Sequence, residues 1–211
     1  MRDDESTELA TIHSEIMGCT KCELHKSRKN AVPGEGPIDA KIMFVGEGPG
    51  QSEDELGRPF VGAAGKLLTE LLESIGLSRS EVFITNIVKC RPPGNRAPRK
   101  HEIEACNPYL MSQIRLIKPR IVCALGTPAI ATLLGDEFSA SRVHGRPMSK
   151  GDVTILPMYH PAAALYDASL KGTLASDFRI LKHLLPDTTA HDGPALKSEP
   201  QIERETLEKW V

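Results

Sequence analysis

Four short apolar runs, separated by stretches with helical spacing, constrain this 211-residue chain more than any other feature. The runs cover residues 41–46, 82–88, 120–126 and 153–159. Leu67, Leu68, Leu71, Leu72 and Ile75 recur at three- and four-residue intervals over 64–75, a second helical stretch covers 101–117, and a last helix is expected over 173–185. Strands alternating with helices of this length predict an α/β fold, a parallel sheet covered on both faces. In such sheets ligands bind beyond the carboxyl ends of the strands. That rule gathers the loops after Val45, Val88, Leu125 and Tyr159 on one edge. The length suits one well-buried core, so a single domain over 1–186 is expected. Residues 187–200 are polar with two prolines, which makes 187–211 a flexible tail by expectation.

No apolar run approaches the roughly 18 residues of a membrane span, and the acidic first 16 residues lack a signal-like apolar region. A cytoplasmic monomer is expected, without a membrane partner. The formal net charge of −2 is unevenly spread. Residues 1–18 carry one basic and five acidic groups, and residues 187–211 carry three and six; residues 19–186 therefore hold 22 basic groups against 17 acidic. Phosphate binding needs a local basic face rather than a basic whole, so a nucleic-acid partner remains compatible with this chain.

The loops at the expected ligand edge carry most of the chemistry. The first reads Gly46-Glu47-Gly48-Pro49-Gly50, followed by Glu53-Asp54 and Gly57-Arg-Pro-Phe60-Val-Gly62. Its glycines let backbone amides approach a ligand closely, but the Lys-Ser/Thr of a nucleotide phosphate loop is missing. The second begins at Asn86, whose amide offers a donor and an acceptor together, or ends a strand as a satisfied polar group. It continues through Lys89, Arg91, Arg96, Arg99 and Lys100, a basic stretch suited to phosphates or simply to solvent. The last strand delivers His160-Pro161-Ala-Ala163; the proline biases His160 away from helix and toward the loop edge.

Five cysteines in a reducing compartment argue against a disulfide framework. Cys19 and Cys22 form a Cys-x2-Cys pair, and Cys90 and Cys106 have fifteen residues between them. Two thiolate pairs suit a four-thiolate zinc or a cubane iron–sulfur cluster, and spacing does not choose between them. Cys123, inside an apolar run, reads as a small core residue.

Taken together in this order, the Gly46–Gly50 loop with Glu53-Asp54, the Gly57-Arg-Pro-Phe-Val-Gly62 loop, Thr85-Asn-Ile-Val-Lys-Cys90-Arg-Pro-Pro, His160-Pro-Ala-Ala163 and the four cysteines resemble the family-4 uracil-DNA glycosylases over about residues 15–185. The resemblance implies a three-layer α/β/α sandwich with a short four-stranded parallel sheet. It also implies a 4Fe–4S cluster on Cys19, Cys22, Cys90 and Cys106, and uracil-containing DNA as the substrate. Phe60 is expected to stack on an everted uracil and Asn86 to face its O4 and N3–H edge. Gly48, Pro49 and Gly50 line the base, and His160 steadies charge on the departing uracil. Glu47 and Glu53 are the carboxylates expected to order the ligand or its water. Arg91, Arg96, Arg99 and Lys100 are expected to meet DNA phosphates.

A related class traps uracil-DNA covalently through a histidine in an inserted stretch of the second loop. Here Pro93-Gly-Asn95-Arg-Ala-Pro98 has no insertion, and Asn95 falls near that histidine's place, which favours turnover. The competing readings are a non-enzymatic DNA- or RNA-binding module stapled by a metal, and an electron-transfer protein. Near the C-terminus, Leu207 and Trp210 would share a face of a helical turn. They resemble a degenerate sliding-clamp-binding motif or else fold back on the domain.

Overall fold

The computed structural model describes residues 2–185, so Leu207 and Trp210 lie outside the described residues. In chain order the main elements are α1 (Arg2–Gly18), β1 (Ile42–Gly46), α2 (Gln51–Leu56), α3 (Ala63–Ser74), β2 (Phe83–Asn86), α4 (Lys100–Ile117), β3 (Ile121–Leu125), α5 (Thr127–Leu134), α6 (Ala140–Val143), β4 (Met148–Lys150), β5 (Val153–Met158), α7 (Ala163–Tyr166) and α8 (Leu170–Leu184). The strands form one sheet in the order β2-β1-β3-β5-β4. All neighbours are parallel except β4, which runs antiparallel to β5.

The layered α/β architecture is the expected one, but the expected four-stranded sheet has five strands. The extra strand, β4, has three residues and no apolar run, so it carries no hydrophobic signal of its own. It exists because Gly151, at φ 58°, and Asp152 turn the chain back and pair Lys150 with Val153.

Side-chain alternation along the strands divides the core in two. Ile42 and Phe44 of β1 face one layer with Leu68, Leu72, Phe178 and Leu181, while Met43 and Val45 face the other with Leu110, Ile114 and Ile130. Phe44 and Phe178 stack with ring centroids 5.8 Å apart, tying α8 to the central strand. A fully buried ring of this kind contributes about 1.5–3 kcal/mol. The first helix, unread in the sequence, packs on α4 through Ile12 and Ile16 and delivers the chain to Cys19. Among the described residues no helix is long and apolar enough to cross a membrane.

This topology positions the ligand edge. The chain leaves β1 for β2 on one side and returns to β3 on the other, so the strand order reverses beside β1, where a crevice opens. Gly46 and Asn86 are register partners, which sets the ends of β1 and β2 side by side.

Candidate active site

A cavity of about 310 Å³ occupies that crevice, and Glu47, Gly48, Pro49, Gly50, Glu53, Phe60, Asn86 and His160 all line it. Four separate sequence segments therefore converge on one space within the usual size range of small-ligand pockets.

Asn86 is 2% exposed, and its Oδ1 is buried without a hydrogen-bond partner. An unmet buried acceptor costs about 1–3 kcal/mol, so this atom is set to receive a donor from a ligand. The backbone beneath it makes room: a Cβ on Gly46 would overlap Asn86 Oδ1 and come within 2.7 Å of Phe60 Cζ. Asn86 is anchored from behind by Lys89, whose ammonium donates to Asn86 O at 2.9 Å, Thr85 Oγ1 at 2.5 Å and Gln113 Oε1 at 2.7 Å. Lys89, which reads as part of a basic loop in the sequence, is thus a buried structural cation; burial pulls its pKa down to about 8.

Phe60 is 6% exposed and adopts φ 51°, a conformation that bulky side chains rarely take. Its ring stacks on His160, centroids 5.4 Å apart and planes 28° from parallel. His160 Nδ1 accepts a hydrogen bond from the Ala162 N–H at 3.1 Å. Burial in the pocket wall holds the His160 pKa down at about 4, against a smaller opposing pull from Glu53. The ring is therefore neutral at pH 7, and with Nδ1 accepting, its proton resides on Nε2.

The two carboxylates of the first loop differ. Glu53 accepts from three backbone amides: Gly50 N at 3.1 Å on Oε2, and Val61 N and Gly62 N, both at 2.8 Å, on Oε1. It joins the start of α2 to the Phe60 loop. Glu47 is half-buried, and desolvation alone raises its pKa, with no charge or hydrogen bond among the described residues opposing it.

Cys19, Cys22, Cys90 and Cys106 line a second hollow, together with Arg28, Lys89 and Tyr109, and none is in a disulfide. Burial first, then mutual repulsion, raises the Cys22 and Cys90 thiols, and burial takes Cys106 to about 11. Donors already point at the sulfurs: Arg28 to Cys90 at 3.0 Å, and the Lys89 N–H to Cys106 at 3.3 Å. Four convergent thiols ringed by cationic and amide donors fit a negatively charged thiolate centre. Among the described residues, the group of three ligand atoms lying within 4.8 Å of one another is Glu23, His101 and Glu102, not a set of these sulfurs. Cys123 is fully buried in β3, as a core residue.

The basic stretch is partly committed to the protein. Arg96 forms a two-pronged pair with the buried Glu102, at 2.6 and 2.8 Å, while also reaching the cavity. Arg91 donates to Asn95 at 2.7 Å, Arg99 lies 3.7 Å from Glu23, and Lys100 is exposed. Sequence reading missed Tyr166, which is 94% exposed at the cavity rim beside Leu165 at 48%. Its signal was an aromatic six residues beyond His160 in a chain with only 4% aromatics.

Comparison with known proteins places this geometry among relatives. The family model for the uracil DNA glycosylase superfamily matches residues 33–181. A type-4 uracil-DNA glycosylase of Sulfurisphaera tokodaii is 50% identical over 185 residues, covering 83% of this chain and 84% of the relative. Those of Pyrobaculum aerophilum and Saccharolobus solfataricus are each 49% identical, covering 81% and 84% of this chain and 91% and 86% of the relatives.

Proposed function

Since the chain belongs to the uracil-DNA glycosylase superfamily, and within it to the type-4 enzymes, we infer that it hydrolyses the N-glycosidic bond of deoxyuridine in DNA, releasing uracil and leaving an abasic site. The observation that carries this reading is the buried, unpaired Oδ1 of Asn86 in the same cavity as Phe60 and a neutral His160. Uracil presents N3–H, a donor, and O4, an acceptor. The Asn86 amide answers with Oδ1 to N3–H and Nδ2 to O4. Cytosine reverses both, and would leave buried groups unmatched at about 1–3 kcal/mol each.

Phe60 stacks on the base once it has left the helix. Bond cleavage leaves negative charge on uracil, mainly at O2. The Nε2–H of His160 donates to that oxygen and keeps its proton, a contact that strengthens as charge develops and is typically worth about 3–4 kcal/mol. The amides of the Gly48–Gly50 loop line the same space. Water attacks the sugar, and Glu47 is the carboxylate that orients it, because Glu53 is engaged by three amides. Arg91, Arg99 and Lys100, with Arg96 held by Glu102, are placed to meet phosphates, and exposed Tyr166 and Leu165 stand where the duplex would pass.

The cluster of the resemblance fits the second hollow, with Cys19, Cys22, Cys90 and Cys106 as the ligands of a 4Fe–4S group. When bound it supplies a staple between the end of α1 and the two sides of the basic stretch. The proposed working unit is a monomer. The tail carries the proposed sliding-clamp contact, Leu207 and Trp210; deleting 201–211 is expected to abolish clamp binding in a pull-down and to spare base release.

Release of free uracil from a uracil-containing oligonucleotide tests the activity. Asn86→Asp, which replaces the amide donor by an acceptor able to receive the cytosine amino group, is expected to lower uracil release by at least about tenfold and to shift preference toward cytosine. An unchanged uracil-to-cytosine ratio would remove Asn86 from base reading.

A further inference from the structure

Building on the uracil-binding reading above, we propose that Arg79, which lies outside every motif and does not line the cavity, is the positioning residue that holds Phe60 in its base-stacking conformation. The loop carrying Phe60 is gripped from two sides by opposite charges. On the cavity side, Glu53 accepts the Val61 and Gly62 amides. On the far side, Arg79 donates to the carbonyl of Phe60 at 2.9 Å and to the carbonyl of Pro59. Two successive carbonyls thus meet one planar guanidinium, the kind of forked contact that arginine makes and lysine cannot.

The grip has work to do. Phe60 sits at φ 51°, a conformation costing on the order of 1–3 kcal/mol for a residue other than glycine. Without a constraint on its carbonyl, the peptide can relax to negative φ, which swings the ring away from His160. The remaining wall is α3: a Cβ on Gly65 would overlap the Phe60 carbonyl, so the strained peptide packs directly on the helix backbone.

Arg79 is itself held. Its Nε donates to Glu35 Oε1 at 2.8 Å, and Arg58 donates to the same carboxylate at 2.8 and 3.3 Å. These partners lower the Glu35 pKa against the opposing effect of its burial. The Glu35 backbone exchanges two hydrogen bonds with Ile84, at 2.8 and 3.0 Å, two residues before Asn86. Through Glu35, then, Arg79 ties the residue that stacks on the base to the strand that reads its edge. The distance between ring and amide is set from behind the pocket.

A double-mutant cycle on base release from a uracil-containing oligonucleotide tests this. Arg79→Gln alone is expected to lower kcat/KM about tenfold and to weaken inhibition by free uracil by a similar factor, ~1.4 kcal/mol in each case. Arg79→Lys should recover only part of the loss. In a Phe60→Ala background the same Arg79→Gln change should have little further effect, because the ring it positions is gone. Glu35→Gln should reproduce a weaker version of the defect. Melting temperatures of all variants, with assays run well below them, separate positioning from unfolding. Equal losses from Arg79→Gln in the presence and absence of the Phe60 ring would overturn the proposal, as would unaltered uracil inhibition. Inactive wild-type protein would instead overturn the functional reading itself.

Discussion

Glu47 and Glu53 stand six residues apart, one in the loop after β1 and the other in the first turn of α2, and the same amino acid has different surroundings in the two places. Both attract attention in the sequence for the same reason, as acids beside a glycine-rich turn. Only coordinates separate them, because the distinction lies in which amides fold back onto which carboxylate. Glu53 joins the amides of residues 50, 61 and 62, whereas Glu47 has desolvation alone acting on it. Glu47→Gln is therefore expected to lower kcat by about 100-fold, the lower end of the range for a group that manages a reacting proton, with KM and melting temperature nearly unchanged. Glu53→Gln should lower the melting temperature and raise KM, since it loosens the loop that carries Phe60. Steady-state kinetics with thermal melts would decide; matching profiles for the two variants would refute the assignment. Asn86 and His160 were legible because their residue types and strand-end positions already imply a donor–acceptor pair and an imidazole at the ligand edge. Arg79 and Lys89 were not: their partners lie 19 to 44 and 3 to 24 residues away, and no local pattern announces them.

Among the elements, the segment between Cys90 and Cys106 shows how charge shapes a loop. Glu102, in the first turn of α4, receives both prongs of Arg96 and the Arg99 amide at 2.7 Å. Arg96 is the main cause that lowers its pKa, to about 2. A carboxyl held below its unfolded value stabilises the fold above pH ~4.5, and that contribution fades as pH falls toward 2. Glu102→Gln should therefore melt earlier at pH 7 and show a flatter loss of stability between pH 4.5 and 2.5 than the wild type. Thermal melts across that range would show it, and parallel curves would count against the pair. The principal strands and the helices 63–74, 100–117 and 170–184 were readable from periodicity, with boundaries shifted by up to three residues. The first helix escaped because only Leu9, Ile12 and Ile16 mark its buried stripe among acids, and β4 escaped because pairing with β5, not hydrophobicity, makes it a strand.

For the molecule as a whole, the four cysteines join the end of α1 to both flanks of the basic stretch. A cluster there would link segments up to 87 residues apart and stabilise the fold chiefly by restricting the unfolded chain. Stripping metal with a chelator and reductant is expected to bleach visible absorbance and lower the melting temperature by several degrees. Cys22→Ser should show the same fall without treatment. A protein whose melting temperature ignores its metal content would not be held together this way.

Periodicity and residue order in this chain were enough to specify a layered α/β fold, the sheet edge where the cavity opens, and the family, because those depend on local alternation and on motifs contiguous in sequence. The different surroundings of Glu47 and Glu53, the tautomer of His160, the buried Lys89 and the grip of Arg79 on Phe60 arose only when distant segments met. Hydrogen bonding and desolvation depend on neighbours in space, and a sequence names those neighbours without saying where they stand.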